Sequence, residues 1–173
     1  MRTSEMKKPK TRRDKTPDEA LAALMRLCAR AEKSQSDARR LMRGWGVEAS
    51  ATEEVLARLV RERFIDDERY ATAFVREKMR LSGWGEYKIR AALQRKEIDR
   101  TTIEEALAAT DRTGTAERLR TQLERKTRMI HYGTRYELKT KLIRYGLALG
   151  YDYETVYETV ATLVSDNEPC DDF

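Results

Sequence analysis

FIDDERYATAFVREKMRLSGWGEYKIRAAL, residues 64–93, contains a helix start, a helix, a glycine turn and the opening of a second helix. Asp66 supplies the start, because its carboxylate can accept from the unpaired N–H groups of a first turn made of Asp67, Glu68 and Arg69. Ile65 before the cap and Tyr70 at the fourth helical position are spaced for a hydrophobic staple. Asp67 and Glu68 then lie at the positive end of the helix dipole. The acid pair is thus accounted for without chemistry; a metal site would need further ligands, and no nearby histidine or cysteine supplies them. Gly83-Trp84-Gly85 breaks the helix, and a basic helix resumes with Lys88 and Arg90 on either side of Ile89.

Outward from this stretch nearly everything reads as helix. Proline is absent from Asp18 to Glu168. Hydroxyl-x-x-Glu signatures recur at Thr16/Glu19, Ser50/Glu53, Thr101/Glu104 and Thr134/Glu137, each expected to form a capping box. The segments 36–47, 87–98 and 136–147 repeat one another at offsets of 51 and 49 residues. Ala38, Ile89 and Leu138 correspond, as do Met42, Leu93 and Leu142, and Val47, Ile98 and Leu147. In the helices that follow, Thr52, Val55 and Leu56 match Ile103, Ala106 and Leu107; Tyr153, Val156 and Tyr157 fall in step after one extra residue. With 38% charged and only 8% aromatic residues, a single large core is not expected. Small helical units that cover one another's narrow apolar stripes fit the composition. The expected fold is all-α: three tandem three-helix repeats, 16–66, 67–114 and 115–165, forming an elongated, curved array. A basic tail (1–15) and an acidic tail (166–173) flank it, both expected to be disordered.

A net charge of +5 permits an anionic partner without demanding one. No apolar run approaches the ~20 residues of a membrane span. The basic N-terminus has no apolar stretch behind it, as a signal peptide would require. Cys28 and Cys170 form no framework, which points to a reduced, cytoplasmic setting. The middle helices place Arg39, Arg90 and Lys139 directly after equivalent core residues. Arg40 and Arg43 extend the first unit, Lys88, Arg95 and Lys96 the second, and Lys141 and Arg144 the third. Two readings stand: a rail of cations for a repeating anionic target, or solvated helix faces diluted by Asp37, Glu86 and Glu137. Trp45 and Trp84 suit packing in turns better than base stacking. Tyr132, Tyr136, Tyr145, Tyr151, Tyr153 and Tyr157 are expected to complete a small core in the last unit. His131, the only histidine, has no triad partners, and no phosphate loop, dinucleotide fingerprint or metal-ligand spacing is present. No residues carry an enzyme reading, and no cofactor is expected.

The opening stretch resembles the RecX family of bacterial recombination regulators. The family's pattern is met by Ile65-Asp66-Asp67, Tyr70-Ala71, Phe74-Val75-Arg76, Gly83-Trp84-Gly85 and Lys88-Ile89-Arg90. Departures are Gly85-Glu86, where the family often has Gly-Pro, an enlarged turn in the third unit (GLALGYDY), and the two tails. The resemblance implies a non-catalytic, monomeric modulator that lodges on the RecA–DNA filament. There it would restrain ATPase, strand exchange and co-protease activity, with roles in homologous recombination, DNA repair and the SOS response. Weak direct binding to single- or double-stranded DNA is a further expectation. The alternative is a helical-repeat protein of helix-turn-helix-like units acting directly on nucleic acid.

Overall fold

The computed structural model describes residues 14–110 and 113–166. Among these, nine helices and no strands occur: α1 (Pro17–Cys28), α2 (Gln35–Gly44), α3 (Ala49–Arg61), α4 (Asp67–Leu81), α5 (Glu86–Gln94), α6 (Arg100–Ala108), α7 (Thr115–Thr127), α8 (Arg135–Ala148) and α9 (Tyr153–Asp166). The fold is all-α and built of three-helix repeats. Most of both expected tails, 1–13 and 167–173, lies outside the described residues. Lys15, assigned to the basic tail, is held: its N–H donates to the Trp45 carbonyl at 2.9 Å, and its ammonium lies 5.2 Å from the Trp45 ring centroid.

Described residues up to Tyr70 form one compact unit and those from Ala71 another, a division that falls one turn into α4. In the first unit α1 and α2 both pack on α3. They bury Leu24, Met42, Leu56 and Leu59 around Ile65. In the second, α4 contributes Ala71, Val75 and Met79, one per turn, and α5 and α6 contribute Ile89, Leu93, Ile103 and Leu107. The triplet α7–α9 closes on Leu119, Leu123, Leu142, Val156 and Val160.

Two capping boxes form at the expected residues in part or whole. Thr16 and Glu19 make the reciprocal pair. Thr134 accepts from the Glu137 N–H, but the Glu137 side chain accepts from the Gly133 N–H instead. The other two expectations fail. The helix α3 starts after Glu48, with no side-chain cap, and Ser50 lies inside its first turn. The helix α6 starts after Asp99, whose carboxylate accepts from the Thr101 and Thr102 N–H groups at 3.1 and 2.9 Å. The reason is geometric. The preceding helices end in left-handed residues, Gly46 (φ 71°) and Glu97 (φ 58°). The next residue, Val47 or Ile98, turns into the core, so the following helix must begin directly after it.

The same device ends α8 at Gly150 (φ 91°), but a turn later, because α8 is 14 residues long against 10 for α2 and 9 for α5. The repeat register shifts accordingly. Tyr151 (5% exposed), not Leu147 (41%), is the counterpart of Val47 and Ile98. Val156 and Val160 take the core places of Ile103 and Leu107. Tyr153 and Tyr157, expected in the core, are 61% and 43% exposed, and Tyr132 and Tyr136 are exposed as well.

The extra turn brings the α8–α9 connection against the α4–α5 turn. The Gly85 N–H donates to the Leu149 carbonyl at 2.8 Å, and the Tyr87 N–H to the Gly150 carbonyl at 3.0 Å. A methyl group on Gly85 would collide with the Gly150 carbonyl, and one on Gly150 with the Lys88 backbone. Backbone meets backbone here, and neither side has a flexible side chain to move away.

Asp66 caps α4, accepting from the Arg69 N–H at 3.0 Å. Asp67 does more than face the dipole. Its carboxylate accepts from the Gln35 backbone N–H and from Gln35 Nε2, both at 3.0 Å, tying the start of α4 to the start of α2. The neighbours therefore titrate in opposite senses. The Arg69 N–H holds Asp66 below the ordinary carboxylate value, whereas burial pushes Asp67 above it, against the Gln35 bonds.

Four outcomes follow. Carboxyl NMR titration will show Asp67 protonating before Asp66 as pH falls. Asp66→Ala will cost about 1 kcal/mol at neutral pH and Asp66→Asn much less. A cap whose folded pKa is depressed contributes above its unfolded pKa, so this deficit shrinks as pH falls through the depressed value. Gly85→Ala or Gly150→Ala will destabilise by about 2 kcal/mol or more in denaturant titrations. Gly44→Ala, with open space at its Cβ, will instead gain a few tenths of a kcal/mol.

Candidate cationic interface

The cation directly after the matched core residue of each middle helix (Arg39, Arg90, Lys139) has a partner on the third helix of its repeat. Arg39 makes a two-pronged bond to Glu53, Nε–Oε1 2.8 Å and Nη2–Oε2 3.2 Å. Arg90 does the same with Glu104, at 2.7 and 3.0 Å, with Glu86 a further 3.9 Å neighbour. The spacing is identical, so the middle helix is braced to the third helix twice in the same way. In the third repeat the longer α8 moves the facing position to Tyr157, and the Lys139 ammonium lies 4.6 Å from that ring centroid. Tyr153 stacks on Tyr157 at 5.9 Å with the rings 21° apart. A carboxylate brace has become a cation–π brace. Arg39 pulls Glu53 below the ordinary carboxylate value, chiefly through the side-chain hydrogen bond, and Glu104 raises Arg90 for the same reason.

Other candidates are engaged too. Arg40 pairs with the buried Asp37 at 3.1 Å. Lys141 donates to the His131 carbonyl at 2.7 Å and pairs with Glu137 at 2.6 Å. Lys88 lies 4.6 Å from the Trp84 centroid, and Lys78 covers the same ring at 5.6 Å. Phe74 meets Trp84 edge to face at 6.4 Å. Trp84 is therefore a packed ring, as expected. Lys96 is half-buried, whereas Arg43, Arg95 and Arg144 are exposed. Sequence reasoning missed the brace partners: Glu53 and Glu104 were assigned to capping, and Tyr157 to the core. The signal was present, since Arg39/Arg90 and Glu53/Glu104 both recur at 51 residues.

The architecture defines a class: all-α proteins of repeated three-helix units whose second repeat begins at an aspartate-capped helix. Residues 66–107 match the family model described as RecX, second three-helix domain. The chain is 34% identical over 92 residues to the regulatory protein RecX of Pseudomonas savastanoi pv. phaseolicola, covering 53% of this chain and 59% of that one. It is 34% identical over 76 residues to the regulatory protein RecX of Geobacillus kaustophilus, covering 44% and 28%. The matched stretch thus spans less than two thirds of either relative. The fold is that of the RecX crystal structure from Lactobacillus salivarius (TM-score 0.70, 19% identity, 86% of this chain and 96% of that one). A second RecX crystal structure gives a TM-score of 0.76 at 20% identity, over 84% of this chain and 73% of that one. The chain is thus similar to RecX proteins in its second three-helix unit and in its fold. Among the described residues no helix is long and apolar enough to cross a membrane.

A double-mutant cycle on Arg90→Ala and Glu104→Ala will give a coupling of about 0.3–1 kcal/mol, as for a partly exposed pair, shrinking with added salt. The Lys139→Ala and Tyr157→Ala cycle will give a similar coupling of about 0.5–1 kcal/mol.

Proposed function

We propose that this protein is a non-catalytic, cytoplasmic regulator that binds the filament RecA forms on DNA and restrains its ATPase, strand exchange and co-protease activity. The similarity of residues 66–107 to the RecX second three-helix domain carries the reading. The repeats are proposed to span 16–66, 67–114 and 115–165. The exposed cations of the middle helices support an anionic partner. Arg95 and Arg144 occupy equivalent positions, and Arg43 lies one residue from the equivalent place in the first repeat. These three are proposed as the contact residues, because the bracing cations Arg39, Arg90 and Lys139 are already satisfied within their units.

RecA ATPase on single-stranded DNA, titrated with this protein below one copy per RecA, will fall. The triple variant Arg43→Glu/Arg95→Glu/Arg144→Glu will keep its circular dichroism spectrum and lose about tenfold or more in potency, with a weaker salt dependence. Undiminished potency in the folded triple variant would move the contact to another face. No response to the wild-type protein would contradict the proposal itself.

A further inference from the structure

A cleft of about 370 Å3 opens in the second unit, lined by Thr72, Arg76, Met79 and Arg80 of α4, Thr110 after α6, and Arg118 of α7. Arg76 and Arg80 stand one turn apart on the same face, where like charges disfavour the helix. Neither has a carboxylate partner among the described residues. Glu77, the nearest acid in sequence, pairs with Lys78 at 2.8 Å. Arg118 approaches from the other wall and is held in place: its Nη1 donates to the Thr113 carbonyl at 3.0 Å and its Nη2 to Thr115 Oγ1 at 3.1 Å. The Thr110 hydroxyl proton is spent on the Ala106 carbonyl at 3.0 Å, and the guanidinium groups are the charged donors of the lining. The buried Met79 adds an apolar patch beside them. These arginines lie on the first helix of the second repeat and on α7, apart from the middle-helix cations described above.

Three arginines line one open cleft, one of them held by the Thr113 carbonyl and the Thr115 hydroxyl, a set of donors that suits a tetrahedral oxyanion. Arginine forks bond such oxygens in pairs. We infer that this cleft is a phosphate-binding site. Its ligand chemistry is shared by two sources: the phosphodiester backbone of a single-stranded nucleic acid, and the phosphates of a free nucleotide. The site acts without RecA and does not depend on the filament reading.

The test uses the full chain without RecA. Binding of a fluorescein-labelled oligothymidylate is followed by anisotropy at several salt concentrations, and binding of inorganic pyrophosphate by calorimetry. The variants are Arg76→Gln/Arg80→Gln, Arg118→Lys, which keeps the charge and loses the fork, and the charge-matched control Arg61→Gln/Arg128→Gln. Circular dichroism and melting confirm the fold of each. The double variant is expected to bind the cleft's ligand about tenfold or more weakly, and the control within about twofold of wild type. If the polynucleotide is the source, the salt slope falls by about 1.4, at about 0.7 per single-strand phosphate contact, and pyrophosphate competes with the oligonucleotide. Loss of pyrophosphate binding with oligonucleotide binding unchanged assigns the site to free nucleotides. Unchanged affinity for both probes in the folded double variant, no binding of either probe by wild type, or an equal loss in the control overturns the proposal. Should Arg118→Lys fail to fold, the exposed double variant decides alone.

Discussion

The second unit depends on a backbone-to-backbone contact, Gly85 N–H to Leu149 O and Tyr87 N–H to Gly150 O. Each triplet of helices there has a small core, so neither tolerates an interface that slips. Direct main-chain hydrogen bonds at a close approach fix the fit more tightly than side-chain packing would, because the groups involved have no rotamers to exchange. The contact forces glycine at 85 and 150 and places the N-terminus of α5 against the end of α8. The additional turn of α8 is what brings Gly150 there. An apparent insertion in the third repeat is therefore a structural part of the join between repeats.

A second constraint shapes the surface. A chain with 38% charged residues can use many of its cations internally. Arg39, Arg90 and Lys139 brace a middle helix to its third helix, with glutamate as partner twice and a tyrosine face once. Individually such braces add little stability, but they tie the middle helix to the third helix at equivalent places in each repeat. Exposed arginines remain at the ends of the middle helices and along the cleft lined from α4, the segment after α6, and α7.

Much of the fold was legible because helix starts and core periodicity are local. Asp66, Thr16 and Thr134 cap as their sequence context indicates, and Ala38/Ile89/Leu138 and Met42/Leu93/Leu142 are buried as matched. Legibility failed where a local signature competed with a longer-range demand. Glu53 and Glu104 sit three residues after a hydroxyl, yet bond arginines 14 residues upstream. The third repeat went out of register because helix length is set by where the chain must turn into the core, and Gly146 and Gly150 both offered a stop. Counting from Gly150 would have made Tyr151 the core residue and Tyr157 the brace. The cleft was hidden because Arg118 joins Arg76 and Arg80 from a different helix, with no spacing rule to connect them.

If the glycine contact joins the second and third repeats into one body, they must open together. Native-state hydrogen exchange under graded denaturant, read by mass spectrometry, measures this directly. The slowest amides of α5 and α6 and those of α8 and α9 should reach exchange through one common opening, with the same free energy and the same denaturant slope. Opening of α7–α9 at distinctly lower denaturant, with α5 and α6 still protected, would contradict the account and make the third repeat an independent module.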